Sequence, residues 1–179
     1  MTDAPPEILS LDRLATPIGE ALLVTDQAGV LRAFNWADAE PQMRAWVARR
    51  YHGMSLAPGA APASLRQAFE AYFAGERRAL AAAPWRAAGT PFQLSVWRAL
   101  CDIPPGETLS YAALAARLGR PTAMRAVGLA NGANPVALVV PCHRVIGADG
   151  ALTGYAGGLM RKRWLLAHEG AAFRDRLAA

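Results

Sequence analysis

Cysteine and histidine are scarce in this chain, with two Cys and three His in 179 residues. Two cysteines, Cys101 and Cys142, cannot build a disulfide framework. That excludes a small stapled secreted scaffold and favours a reducing, cytoplasmic setting. No apolar run approaches the roughly 18 residues of a membrane span, so no membrane partner is expected. The opening residues MTDAPPEILS lack a basic stretch followed by an apolar one, and no secretion leader is expected. Charge is also thin, at 18% of residues, whereas 53% are hydrophobic, enough for a sizeable core. The length suits one large domain or two small ones.

The net charge of +5 is unevenly spread. Residues 1–89 hold nine Arg against nine Asp or Glu, whereas residues 90–179 hold ten Lys or Arg against five acids. A polyanionic partner would therefore meet the second half. The plain alternative is a basic enzyme surface with no such partner.

The first half reads as α/β. GEALLVTDQAGVLRAFNW alternates apolar and polar residues around a turn at Asp26–Gly29, as a β-hairpin does. AEPQMRAWVARRYHG has helical spacing, with Met43, Trp46 and Val47 on one face and Gly53 as the stop. SLAPGAAPAS reads as a loop. SLRQAFEAYFAGE reads as a helix capped by Ser64 and closed by Gly75. The connection ALAAAPWRAAGTP puts a boundary near residue 88, giving expected domains 1–88 and 89–179.

The second half is denser in signals. Thr90 and Pro91 supply an N-cap and a first helical residue, followed by a stripe of Phe92, Val96, Trp97 and Leu100. SYAALAARLG is a second helix, with Ser110 as cap and Gly119 as stop. RPTAMRAVGLANG is a third, expected to start at Pro121. Two short helices joined by a glycine-containing turn form a helix-turn-helix pattern. NPVALVV reads as a buried strand, and LMRKRWLLAHEG as a last helix closed by Gly170.

VVPCHRVIG, residues 139–147, sets Cys142 beside His143. Neighbours on a regular strand face opposite ways, but Pro141 cannot donate to a sheet ladder and tends to end a strand. Both side chains are therefore expected in a turn, sharing a pocket. A free thiol is a weak nucleophile until a base or a positive environment helps it, and His143 could do so directly or through one water. A third group must orient that imidazole. Glu169 lies at the negative end of the last helix, an unfavourable place that pairing with His143 would explain. Asn134, before Pro135, can brace the loop. Cys101, on an amphipathic helix with no His nearby, reads as a small buried hydrophobe. The glycines of TGYAGG suggest a backbone brought close to a flat ligand. Arg125 is flanked by Thr122, Ala123, Ala126 and Gly128, small residues that would let a helix approach a groove about 6 Å wide. For Glu169, Asn134 and Arg125 the plain alternatives are a solvated Glu, an Asn turn and an exposed Arg.

TPFQLSVWRAL, IPPGETLSYAALA, RAVGLANGANP, NPVALVV, PCHRV, GYAGG and WLLAHEG occur here in one order. Over about residues 89–171 they resemble the 6-O-alkylguanine-DNA alkyltransferases, the methylated-DNA–protein-cysteine methyltransferases. The first 88 residues match that family only in general character. The resemblance implies a ribonuclease-H-like α/β N-terminal domain. It implies a mostly α C-terminal domain with a winged-helix-like helix-turn-helix. The implied activity is suicide DNA repair, in which an alkyl group moves from the 6-oxygen of a flipped guanine to the protein's own cysteine. Cys142 would be the acceptor, His143 and Glu169 the relay that deprotonates it, and Asn134 a brace. Arg125 would fill the vacated stack, and Tyr111 would face the flipped nucleotide. Ala112, Arg120 and Ala126 would join the DNA surface. Backbone groups of Cys142, Val145 and Ala156 would read the guanine edge, with Tyr155 and Gly157 shaping the pocket.

The implied partner is double-stranded DNA carrying 6-O-alkylguanine. The expected state is a monomer, with cooperative assembly on DNA left open. No cofactor is implied. Some relatives bind zinc near the N-terminus, but this chain has no Cys before Cys101, and no metal is expected. Ala156 stands where relatives often carry Ser, which loses a hydroxyl but keeps the backbone N–H. The resemblance keeps the 4-oxygen of thymine as an alternative alkyl donor beside the 6-oxygen of guanine. Two rivals remain from the residues alone. One is a cysteine hydrolase using Cys142 and His143 with many turnovers, and the other a helix-turn-helix regulator without chemistry.

Overall fold

The computed structural model describes residues 8–175. Most of the stretch read for a secretion leader lies outside them, as do the last four residues. The hairpin is present: β2 (Gly19–Thr25) and β3 (Leu31–Trp36) pair antiparallel. Its turn is built by Asp26, whose carboxylate accepts from the Ala28 and Val30 amides. Two further strands complete a four-stranded sheet in the order β3-β2-β1-β4. Strand β1 (Ile8–Thr16) pairs antiparallel with β2, and β4 (Ser55–Pro58) pairs parallel with β1. The SLAPGAAPAS stretch is thus not all loop: SLAP forms an edge strand. Its partner lies more than 40 residues away, and Pro58 at its end is tolerated because an edge needs few donors.

Strand β2 is buried from Ala21 to Thr25, so both sheet faces are covered. Its alternation sorts the side chains. Leu22 and Val24 face Met43 and Val47 of α1 (Glu40–Arg50). Ala21 and Leu23 face Leu65, Phe69 and Tyr72 of α2 (Ala63–Phe73) and the second half of the chain. Helix α2 starts one residue before Ser64, with Pro62 in the capping position and no side-chain cap, so Ser64 lies inside the first turn.

In the second half, α3 (Pro91–Cys101) carries a full capping box between Thr90 and Gln93. Val96, Trp97 and Leu100 point into the same apolar core as Phe69 and Tyr72, while Phe92 is partly buried against it. Helix α4 (Tyr111–Arg117) is capped by the Ser110 hydroxyl, and α5 (Met124–Gly132) packs on α4. Helix α5 begins at Met124 rather than Pro121. Gly119, at a φ of 67°, and Arg120 close α4, and a further turn runs from Arg120 to Ala123. Two short parallel strands, β5 (Leu109–Ser110) and β6 (Val145–Ile146), tie α4 to the cysteine segment. Helix α6 (Leu159–Glu169) ends at Gly170, which is left-handed at a φ of 76°. The molecule therefore has an α/β first half with a mixed sheet and a mostly helical second half. Among the described residues no helix is long and apolar enough to cross a membrane.

NPVALVV is not a strand. The chain folds back between Val136 and Val140, with the Val140 amide on the Val136 carbonyl and Leu138 at a φ of +69°. A left-handed leucine costs roughly 1–2 kcal/mol, so its surroundings must impose it. Asn134 does so, accepting from the Val136 amide at 3.0 Å and donating to the Val140 carbonyl at 2.8 Å. Short apolar runs do not tell a strand from a buried turn by periodicity. The Pro135 carbonyl accepts from the Phe34 amide at 2.7 Å, docking this segment on the edge of β3.

Candidate active site

Cys142–Arg144 form one 3₁₀ turn that starts after Pro141. With about three residues per turn, consecutive side chains point some 120° apart. Cys142 lines a cleft of 560 Å³ between β3, α1, α5 and the 154–157 segment, whereas His143 and Arg144 turn into the protein. The turn, rather than a strand end, lets neighbouring residues serve one site.

His143 Nε2 lies 3.1 Å from Glu169 Oε1, and both side chains are fully buried. The same carboxylate accepts from Arg144 Nε and Nη2, each at 2.8 Å, and from the Tyr72 hydroxyl at 2.8 Å. Arg144 Nη1 reaches the Ile103 carbonyl. Burial alone pushes the Glu169 carboxyl up. The hydrogen bonds and charges of His143 and Arg144 overcome this and hold it far below the ordinary carboxylate range. For His143, burial lowers the imidazole pKa below 6.5, and the pull of Glu169 does not fully restore it. An ionised carboxylate can only accept, so Nε2 carries the proton of the neutral ring and Nδ1 is left as a base. Nδ1 is buried without a protein partner.

Burial also raises the Cys142 thiol pKa. Asn134, the Lys162 charge and the amides of Cys142 and His143 oppose this without cancelling it. Lys162 is the chain's single lysine. It is fully buried and donates to the carbonyls of Val145 at 2.6 Å and Thr153 at 2.8 Å. Burial pushes its ammonium down to about 8, against the pull of Cys142.

The structure brings Cys142, Asn134, Tyr111, Tyr155, Ala156 and Gly157 together around the cleft. A Cβ on Gly157 would stand 2.6 Å from both Trp36 Nε1 and the Tyr155 ring, so only glycine fits between them. Val145 lies elsewhere: it is fully buried behind the cysteine turn and does not line the cleft. Ala112, Arg120, Arg125 and Ala126 are exposed on α4, α5 and the turn between them, with Arg120 stacked on Phe92 at 5.5 Å. Cys101 is exposed rather than a buried hydrophobe, because the last turn of α3 carries it to the surface beside Asp102. Sequence reading missed Arg144, Tyr72, Lys162 and Asn131. Arg144 carried a signal, since an arginine inside an apolar run must find a buried partner. Tyr72 carried none, being 97 residues from Glu169.

Residues 91–171 match the family model for the DNA-binding domain of 6-O-methylguanine DNA methyltransferase. The chain is 47% identical over 161 residues to the methylated-DNA–protein-cysteine methyltransferase of Salmonella typhimurium, covering 89% of this chain and 94% of that protein. The protein of the same name from Methanosarcina acetivorans is 46% identical over 160 residues, covering 87% and 94%. Among solved structures, the O6-methylguanine methyltransferase of Mycobacterium tuberculosis superposes with a TM-score of 0.75 at 41% identity, covering 90% of this chain and 93% of that one. The M. tuberculosis OGT in complex with DNA superposes at 0.74 with 41% identity, covering 91% and 92%. With identity of this level along nearly the whole length, the chain belongs to the methylated-DNA–protein-cysteine methyltransferase family.

Proposed function

We propose that this protein repairs duplex DNA by moving an alkyl group from the 6-oxygen of an extruded guanine to the sulfur of Cys142. His143 supports this reading best: its bonded nitrogen must donate to Glu169, which leaves a buried, unprotonated Nδ1 in the turn that carries Cys142. Nδ1 takes the thiol proton, directly or through one water. The thiolate attacks the alkyl carbon, the carbon–oxygen bond breaks, and its electron pair stays on guanine. The proton returns from the imidazole to the base. The product is a thioether, which nothing in the site can reverse, so each chain acts once. Glu169 holds the imidazole and stabilises its charged form, and Asn134 fixes the turn that presents the sulfur.

The exposed face of α4 and α5, with Tyr111, Ala112, Arg120, Arg125 and Ala126, is the proposed DNA surface, docked as a winged-helix-like helix-turn-helix. Extrusion of a base costs a few kcal/mol, least for a weakened alkylated pair. Arg125, at the start of α5, would enter the gap and keep it open, as wedge residues do in the minor groove. The N-terminal half, proposed as a ribonuclease-H-like domain over 1–88, contributes Tyr72 to the relay and Trp36 to the cleft wall. The site is complete within one chain, which supports a monomer, and the need for a free thiol supports a cytoplasmic setting.

The test is incubation with a duplex carrying labelled 6-O-methylguanine, followed by mass mapping. At most one label per chain, on Cys142, is expected. Multiple turnover on an ester or amide would favour a hydrolase, and binding without label a regulator. Arg125→Ala is expected to slow transfer by about tenfold or more, the order of an unstacking cost. Nonspecific affinity should change about threefold or less, as for one lost cation. Equal losses would show that Arg125 only neutralises phosphate.

A further inference from the structure

We propose that Arg161 is a positioning residue: it ties the 154–157 wall of the cysteine cleft to the first half of the chain and so holds the extruded base in a reactive pose. This rests on the alkyl-transfer reading above. Helix α6 opens with Arg161, Lys162 and Arg163 close behind its first residue. The start of a helix is the positive end of its dipole, where cations are disfavoured. These charges therefore serve contacts rather than the helix. Lys162 meets the Val145 and Thr153 carbonyls, and Arg163 pairs with Asp175. Arg161 instead turns towards the first half. Its Nε donates to the Ile18 carbonyl at 3.0 Å, just before β2. Its Nη1 donates to Asp38 at 2.9 Å and to the Gly157 carbonyl at 3.0 Å. The guanidinium carbon stands 4.6 Å from the centre of the Trp36 ring. A Cβ on Gly19 would come within 3.1 Å of Nη2, so the β1–β2 turn also closes on the fork.

The wall needs such a clamp. Gly154, Gly157 and Gly158 give this segment much backbone freedom to lose on ordering. Gly158, at a φ of 89°, occupies the capping position of α6 and offers no side-chain cap. Gly157 packs directly on Trp36, whose own ring stands edge-on to Phe34 at 5.3 Å. Arg161 thus grips both the wall, at the Gly157 carbonyl, and the indole on which the wall packs. A planar guanidinium donates in several fixed directions at once, which a point charge on a flexible stem does not. Tyr155, Ala156 and Gly157 border the same cleft as Cys142, so a shift of the wall moves the space in which the base must lie. Misplacing reacting atoms by about 1 Å can cost about a hundredfold in rate. The hydrogen bonds of Arg161 reach none of Cys142, His143 and Glu169, and the residue is not part of the α4–α5 face. Its effect on transfer therefore runs through the wall.

The experiment measures single-turnover transfer from a 6-O-methylguanine duplex over a range of duplex concentrations, with rates normalised to the folded fraction. Arg161→Leu is expected to lower the maximal rate by about tenfold or more, as for a misplaced base. The half-saturating concentration should stay within about threefold, the effect of one lost cation. Arg161→Lys keeps a charge over Trp36 but cannot span the Ile18 and Gly157 carbonyls together, so the maximal rate should stay about threefold or more below wild type. Asp38→Asn removes only an ion pair whose acid is 63% exposed, and should leave the maximal rate within about twofold. A parallel reaction with iodoacetamide, mapped by mass to Cys142, reads the sulfur and its relay without any base. Arg161→Leu should react there no more slowly than wild type. An unchanged maximal rate in Arg161→Leu, a wild-type rate in Arg161→Lys, or an equal loss in Asp38→Asn overturns the proposal. So does a fall in the iodoacetamide reaction that matches the fall in transfer, since the damage would then lie in the relay. Absence of any label on wild-type Cys142 would instead overturn the transfer reading on which the proposal rests.

Discussion

Cys142→Ser is expected to lower alkyl transfer by at least about four orders of magnitude, the scale seen when the nucleophile of a covalent catalyst is removed. The reason lies in what the relay can accomplish. The His143 imidazole is held neutral by burial, with a pKa below 6.5, and is a base of modest strength. It takes the proton from a thiol whose pKa burial raises, a rise that Asn134 and Lys162 oppose. A serine hydroxyl ionises far less readily, and the same base cannot draw a useful alkoxide from it. Sulfur is also the softer nucleophile towards an alkyl carbon. The exchange removes little volume and leaves the 3₁₀ turn intact, so stability should change by less than about 1 kcal/mol and DNA affinity hardly at all. The readout is label per chain after prolonged incubation, with thermal unfolding as the control. Label on the exposed Cys101, or wild-type transfer by the serine variant, would refute the assignment of the acceptor.

Glu169→Gln should combine a stability loss of about 3–5 kcal/mol, as when one member of a buried ion pair is removed, with a fall in transfer of about 10²–10⁴ for the lost base assistance. A glutamine has one acceptor oxygen where the carboxylate has two. In the place of Oε1 that oxygen can still accept from His143 and Tyr72, but the amide nitrogen then faces the Arg144 Nε donor, and the buried guanidinium loses its counter-charge. A loss of that size is a large part of a typical folding free energy, so rates must be normalised to the folded fraction measured by urea unfolding.

The pH dependence gives a second handle on the same residue. The folded carboxyl titrates below its ordinary 4.5, so its contribution is complete above that value and is lost as the pH falls below it. His143, lowered below 6.5, has the same sign: unfolding binds a proton there, so stability also falls as the pH drops through 6.5. Wild-type stability should thus fall in two stages on acidification, and the glutamine variant should lack the second. A variant as stable as wild type at pH 7 would show that Arg144 does not need the carboxylate.

Much of the site was legible because its chemistry is compressed into neighbouring residues. Cys142 beside His143 after Pro141 announced a turn with a thiol and a base, and Glu169 stood out by its unfavourable place on a helix. The Asp26 turn, the Thr90 and Ser110 caps and the Gly170 stop were equally local, since each is a hydrogen bond or dihedral set within a few residues. Assignments failed where the deciding partner was distant. SLAP became a strand because β1 lay beside it, and NPVALVV turned back because Asn134 captured two of its backbone groups.

What the order of residues determined unaided was the adjacent cysteine and histidine, the helix limits set by Thr90, Ser110 and Gly170, and the excess of positive charge on the second half. What tertiary structure alone decided was the electrostatic state of that pair. Arg144 and Tyr72 converge on Glu169, Lys162 sits behind the cysteine turn, and the Asn131 side-chain oxygen is buried without a partner. The physical reason is that pKa values and hydrogen-bond vacancies depend on burial and on groups brought together across the chain. Neither can be read from spacing along it.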